Sequence, residues 1–249
     1  MFKKFALAAV LITSSLFFTA VSTNAQVKKA PVKKTVAKKP VATKPVAKKT
    51  TAITKLPETR VKITTDSGVI VLHLYNKTPQ HRDNFIKLVN NHFYDSLLFH
   101  RVIAGFMIQG GDPQSKNAPA GAMLGNGDVG YTIPAEFDTT LFHKKGVLAA
   151  ARDNNPAKAS SGCQFYIVQG RKYSDAELNN MEAQMGIKFS AAKRKAYKVL
   201  GGTPFLDMNY TVFGEVETGF DVIDKIASVP KDGADRPLGD VRMRMEIIK

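Results

Sequence analysis

The chain has 249 residues, 36 Lys and Arg against 21 Asp and Glu, one Cys and no Trp, for a formal net charge of +15. One Cys excludes an internal disulfide framework and any multi-Cys metal or redox motif, while a hydrophobic fraction of 44% suffices for a real core. The charge suggests nucleic acid, yet residues 1–57 hold 12 Lys and no acid while 58–249 hold 24 Lys and Arg against 21 Asp and Glu, so the body is only +3 and no nucleic-acid partner is expected.

Met1-Phe2-Lys3-Lys4 is a short positive region, followed by an apolar run from Phe5 to Ala20 and then Thr23-Asn24-Ala25, with small residues where a signal peptidase reads. Residues 1–25 are expected to be a signal peptide cleaved after about Ala25. The apolar run, interrupted at Thr13-Ser14-Ser15, falls short of the ~20 residues of a spanning helix. The mature protein is then exported, periplasmic or associated with the cell envelope. Residues 26–57 repeat Lys, Pro, Val, Ala and Thr without aromatics, a composition that cannot bury enough apolar surface to fold. This disordered linker has two readings: a tether to an anionic envelope surface, or a solvated spacer.

Residues 58–249 read as one mainly β domain. Arg60–Thr65 and Val69–Tyr75 are β-branched runs around the turn Asp66-Ser67-Gly68. Thr78-Pro79 starts a helix with Thr as N-cap, and Phe85, Leu88 and Val89 continue its apolar stripe to about His92. Strands are expected at Leu98–Ile103, Phe106–Gln109, Tyr131–Ala135, Gly146–Ala151, Gln164–Val168 and Thr211–Glu215. A second flanking helix follows at Phe220–Ala227, and Val241–Ile247 alternates as a half-buried closing strand. Short strands between Gly-rich turns indicate a barrel or sandwich. Residues 171–203 interrupt this pattern as a helical insertion. Ser174-Asp175-Ala176-Glu177 is a capping box, Leu178, Met181 and Met185 form one stripe, and Gly186 is a stop. A second piece runs from about Ser190 to Leu200 and ends at Gly201-Gly202. The stripe is expected to pack on the barrel.

Conventional catalytic constellations are scarce. The five His (73, 81, 92, 100, 143) lack metal-ligand spacing, no Gly-x-Ser-x-Gly elbow occurs, and Gly110-Gly111-Asp112 and Gly125-Asn126-Gly127 are turns without the Lys of a phosphate loop. No metal and no cofactor is expected. Cys163 reads as a buried, inert thiol. The notable stretch is Phe99 to Asp112. By strand alternation Arg101 shares a face with Phe99 and Ile103, so it needs a partner or a ligand. A rim Arg paired to a carboxylate and an Arg facing a ligand are both open at this point. Phe106, Met107 and Gln109 offer an apolar floor with one amide, which suits an uncharged ligand.

Phe99-His100-Arg101-Val102-Ile103-Ala104-Gly105-Phe106-Met107-Ile108-Gln109-Gly110-Gly111-Asp112 resembles the central motif of the cyclophilins, the peptidyl-prolyl cis-trans isomerases. Gly146–Arg152, Ser161–Ile167, Leu206-Asp207 and Thr211–Val216 continue the resemblance in family order. It implies a closed eight-stranded antiparallel barrel capped by two helices, and an enzyme that isomerises X–Pro bonds of exported proteins and so assists their folding. The partners it implies are proline-containing polypeptides, and the chain is expected to be a monomer. Arg101 matches the catalytic arginine. Phe106, Met107, Gln109, Ala151, Gln164 and Leu206 match substrate-binding positions unchanged. Arg152 stands where the family usually has Asn. Tyr166 replaces the usual Phe of the proline pocket, so its hydroxyl needs water or a partner. Phe205 stands for a common Trp and Tyr210 for a common His, both at the rim. Two other roles stay open beside this one: a cyclophilin-like barrel that grips extended chains without turnover, and an envelope-attached scaffold in which the Lys-rich linker is the working part.

Overall fold

The computed structural model describes residues 57–249; the expected signal peptide and all but the last residue of the linker lie outside the described residues. In chain order the elements are β1 (Thr59–Thr65), β2 (Gly68–Leu74), α1 (Pro79–Asn90), β3 (Phe99–Ile103), β4 (Met107–Gly110), β5 (Thr132–Ile133), β6 (Val147–Ala150), β7 (Ser160–Ser161), β8 (Phe165–Val168), α2 (Asp175–Met185), α3 (Ala191–Val199), β9 (Val212–Thr218), α4 (Phe220–Ala227) and β10 (Met243–Ile248). Eight strands form one antiparallel sheet in the order β10-β1-β2-β9-β6-β8-β4-β3.

Period-two alternation decides the inner face. Val61 and Ile63 of β1, Ile70, Leu72 and Leu74 of β2, and Met243 and Met245 of β10 are buried, while their neighbours point outward. β6 and β8 differ: all four residues of each are buried, because apolar layers cover both faces of the sheet there. The inner layer is the main core. Its centre is a set of edge-to-face and tilted rings, Phe85 of α1 with Tyr94, Phe99, Phe165 and Phe213, at centroid separations of 5.0–6.1 Å. α1 adds Leu88 and Val89, and α4 adds Val222, Ile223 and Ile226.

Three expectations are corrected. The sheet is a half-barrel rather than a closed barrel, since no ladder joins its edge strands β3 and β10. The two edges meet only at a short seam, one bridge between Leu98 and Arg242 with backbone hydrogen bonds from Ser96 to Met243, Met243 to Leu97 and Phe99 to Val241, each 2.9 Å. The expected strand Tyr131–Ala135 contracts to β5, which pairs outside the main sheet with β7, a strand too short to show a sequence period. Thr78 does occupy the N-cap of α1, but its side chain does not cap the helix and its buried hydroxyl has no partner among the described residues. The capping oxygens come instead from Glu136, which accepts from the Gln80 and His81 amides at 3.1 and 3.0 Å and from His81 Nδ1 at 2.7 Å.

The helical insertion forms as the residues indicate. Both bonds of the Ser174–Glu177 capping box are present, Gly186 adopts φ 65° at the end of α2, and the Ser190 hydroxyl accepts from the Lys193 amide to start α3. The expected packing of the apolar stripe on the barrel is corrected: Leu178 joins Tyr173, Phe189 and Tyr197 in a small core of the insertion's own, with Met181, Met185 and, from the segment before β6, Phe142 packed against it.

The Glu136 cap yields a signed prediction. Burial pushes its carboxyl up, but the His81 ring and the two amides outweigh this and hold it below the ordinary range. Its contribution is therefore complete above the unfolded-state value and lost as pH falls through the lower folded-state value. Glu136→Gln should cost about 1 kcal/mol in urea unfolding near pH 7. That difference should shrink toward pH 3, as the wild type also protonates.

Candidate active site

The site lies on the outer face of the sheet, and a bulge puts its arginine there. The β3–β4 register shifts between Phe99 and Arg101. Phe99 and Val102 therefore enter the main core, while Arg101 and Ile103 belong to the outer face, so the expected shared face of Phe99 and Arg101 is corrected. His100, at the bulge, is buried with neither ring nitrogen bonded among the described residues, and burial lowers its pKa to about 4, so it is neutral. From Arg101 a straight row crosses the sheet. Arg101 pairs with Gln109 on β4, Gln109 with Tyr166 on β8, and Tyr166 with Ala149 on β6.

This row floors a cavity of about 180 Å³ lined by Arg101, Phe106, Met107, Gln109, Ala151, Arg152, Tyr166, Leu206 and Tyr210. Nine of the eleven expected site residues thus converge on one small pocket, whose apolar part is formed by Phe106, Met107, Ala151 and Leu206. Gln164 stands outside it. It accepts from Gln109 Nε2 at 3.1 Å and donates to the Gly125 and Gly127 carbonyls at 2.9 and 2.7 Å, which fixes the Gln109 amide against the neighbouring loop. Phe205 is also outside, half-exposed at the rim with its ring 5.8 Å from that of Phe106. A second, more polar cavity of about 420 Å³ opens beside the first and shares Gln109, Ala151 and Arg152 with it.

The electrostatics separate a held rim from an available donor. Arg152 donates to the Asn209 and Asp153 carbonyls at 2.9 Å, and its guanidinium lies 4.7 Å from the Tyr210 ring, so it braces the rim. Arg101 is held more lightly: Nη1 reaches Gln109 Oε1 at 3.4 Å and Nε lies 3.8 Å from Asp235 Oδ2. Among the described residues, Nη2 has no acceptor. Arg101 thus stands within ion-pair reach of a rim carboxylate and also lines the pocket.

The hydroxyl of Tyr166 finds a partner. It donates to His143 Nε2 at 3.0 Å, and His143 Nδ1 donates in turn to Asp207 Oδ1 at 3.1 Å. All three side chains are buried. Burial lowers the His143 pKa against the pull of Asp207; it raises the Asp207 carboxyl, but donors from His143 and Lys193 prevail and hold that carboxyl low. The ring is thus neutral and the carboxylate charged. Sequence reasoning missed His143 and Asp235, and took Asp207 only as part of a motif. Asp235 leaves no local signal. The demand of a pocket tyrosine for a partner was the one clue to the other two. Cys163 is buried as expected, and burial pushes its thiol up to about 11.

A family model described as cyclophilin type peptidyl-prolyl cis-trans isomerase/CLD matches residues 60–246. A Streptococcus pyogenes serotype M6 protein named as a bifunctional phosphatase/peptidyl-prolyl cis-trans isomerase is 36% identical over 185 residues, which is 73% of this chain and 37% of that protein. The chain therefore spans well under half of that relative. A Staphylococcus aureus protein named as a peptidyl-prolyl cis-trans isomerase is 35% identical over 74% of this chain and 88% of its own length. Among solved structures, a Cryptosporidium parvum cyclophilin-type isomerase superposes with a TM-score of 0.57 over 78% of this chain and 99% of its own, at 22% identity. The same isomerase in the presence of the dipeptide Ala-Pro gives 0.55.

Proposed function

The chain belongs to the cyclophilin-type peptidyl-prolyl cis-trans isomerases, and from that membership we propose that it isomerises X–Pro bonds of exported polypeptides, and so assists their folding, with Arg101 as its catalytic residue. Resonance holds the amide planar behind a barrier of ~18–20 kcal/mol. No bond breaks when it turns, so the reaction asks only that the enzyme bind the twisted amide better than the planar one. Twisting localises a lone pair on the prolyl nitrogen. A fixed N–H donor aimed at that nitrogen, or at the neighbouring carbonyl, stabilises the twisted form in a water-poor pocket.

The observation that carries this assignment is the place of Arg101: a guanidinium whose Nη2 has no acceptor among the described residues, lining a small cavity beside Phe106, Met107 and Leu206 and steadied on Gln109. Phe106, Met107, Tyr166 and Leu206 hold the proline ring. Gln109, kept in place by Gln164, and the backbone around Ala151 and Arg152 fix the flanking peptide, while Phe205 and Tyr210 form the rim. One good donor supplies about 3 kcal/mol, roughly two decades in rate, and apolar binding of the ring supplies much of the remainder. On this basis Arg101→Ala should lower kcat/KM on an Ala-Pro peptide by about 100-fold and shift Tm by less than about 2 °C, because the side chain is 42% exposed. Arg101→Lys should stay at least about ten-fold below wild type, since an ammonium cannot copy the guanidinium fork. Wild-type turnover in either variant removes Arg101 from the mechanism.

The export and tethering roles rest on sequence: the apolar run after Lys3-Lys4, and the acid-free Lys repeats of 26–57. We assign the linker to attraction toward anionic envelope surfaces, which makes it salt-sensitive. Deleting 26–57 from the mature protein should abolish binding to anionic vesicles at low salt and leave kcat/KM unchanged. Equal vesicle binding with and without the linker would return it to the role of spacer.

A further inference from the structure

Two side chains of the 171–203 insertion, Tyr197 from its small core and Lys193 beside it, reach Asp207 below the proline pocket. On α3, Tyr197 donates its hydroxyl to Asp207 Oδ1 at 2.8 Å, and Lys193 donates to Asp207 Oδ2 at 2.9 Å. Asp207 is 2% exposed, so nearly every lone pair of a buried carboxylate must be met from within the protein. The body meets part of the demand through the backbone amide of His143 at 2.9 Å and its ring Nδ1 at 3.1 Å. The insertion meets the rest.

Because a carboxylate only accepts, it places the His143 proton on Nδ1 and leaves Nε2 with a lone pair. That lone pair is the acceptor for the Tyr166 hydroxyl at 3.0 Å. The series is therefore directional: Lys193 and Tyr197 hold Asp207, Asp207 sets the tautomer and tilt of His143, and His143 pins the far end of the Tyr166 ring. The near face of that ring lines the pocket.

The exit of the insertion is joined to this series, and its two helices are joined to each other. The chain leaves it through Gly202, at φ 154°, whose backbone passes so close to the His143 carbonyl that a Cβ would collide with it; the Thr203 amide then donates to that carbonyl at 2.8 Å. The two helices are also braced together, Arg194 pairing with Asp175 at 2.8 Å and with Glu182 at 3.0 Å. Proline itself has no group that a phenol must bond, so an apolar wall would suffice to contain it. The hydroxyl has use as a handle by which the ring is held.

We propose that the insertion is a positioning element for the proline pocket, in which Tyr197 and Lys193 act through Asp207 and His143 to fix the Tyr166 ring. This rests on the assignment of the pocket to proline made above. Tyr197 and Lys193 touch no substrate; they are positioning residues.

The test is a double-mutant cycle on the mature full-length protein, with a peptide bearing one Ala-Pro bond as probe. Its kcat/KM is read by isomerisation and its Kd by titration. Tyr197→Phe should lower kcat/KM about five-fold and weaken Kd, with Lys193→Gln acting in the same direction. In a Tyr166→Phe background, where the handle is absent, the added Tyr197→Phe should change both by less than about two-fold while lowering Tm as it does alone. Loss of kcat/KM by the same factor in both backgrounds assigns the insertion to stability alone and overturns the proposal. So do Tyr197→Phe and Lys193→Gln variants that both bind and turn over like wild type. If Tyr197→Phe does not fold, Lys193→Gln carries the same cycle, since Lys193 lies nearer the surface. A wild type that turns over normally beside an inert cycle fails this inference only. A wild type that neither binds nor isomerises the peptide fails the pocket assignment, and this inference with it.

Discussion

Burial of both faces of β6 and β8 is the constraint on which the rest depends. A sheet with one wet face needs only one apolar layer, but Val147–Ala150 and Phe165–Val168 are buried throughout. Inside, the aromatic cluster around Phe85 and the apolar faces of α1 and α4 provide the cover. Outside, the cover is a thin cluster of Met107, Val147, Ala149, Tyr166, Val168 and Val212, with Leu141, Leu206 and Tyr210 laid over it from loops. That outer layer is incomplete. The pocket is the part of this sheet face that the loops leave open, and its floor is set in the strands β3, β4 and β8.

The polar groups around the pocket follow from where it lies. Toward the edge strand β3 the face meets water, and a charged donor can stand there with its stem on apolar atoms and its head free. Arg101 does so. Its approach to Asp235 at 3.8 Å, on a side chain 42% exposed, is worth about 0–1 kcal/mol. Such a pair orients the guanidinium without holding it back from a ligand. Toward β6 the face is buried, and a polar group there must be bonded throughout. Tyr166, His143 and Asp207 meet that rule in sequence, each donating to the next. One face of the sheet thus carries an adaptable donor at one end of the row and a fixed hydrogen-bonded series at the other.

Much of this was legible in the residues. α1 and α4, the capping box, N-cap and stops of the insertion, and most strands carry local signals: period, caps and Gly stops. The motif from Phe99 to Asp112 gave the pocket residues their identity. What was not legible is non-local. The bulge that turns Arg101 outward is a property of β3 pairing with β4, and strict alternation along β3 alone puts it beside Phe99. Glu136 caps α1 from 55 positions away. Whether the sheet closes depends on the meeting of β3 with β10, more than a hundred residues apart, and a short seam around the Leu98–Arg242 bridge is all that joins them among the described residues. His143 is a lone histidine in sequence, and its role appears only when Tyr166 and Asp207 are brought to it in space.

The central claim is that the open part of the outer face takes a prolyl residue and lowers the barrier to its rotation. Exchange spectroscopy of an Ala-Pro peptide with the wild-type protein tests it most directly, since cis and trans proline signals and the protein's own side chains are observed together. The prediction is exchange far faster than the uncatalysed tens of seconds, with ligand-induced shifts centred on Phe106, Met107 and Tyr166. Exchange at the uncatalysed rate, or shifts centred elsewhere on the sheet, would contradict it.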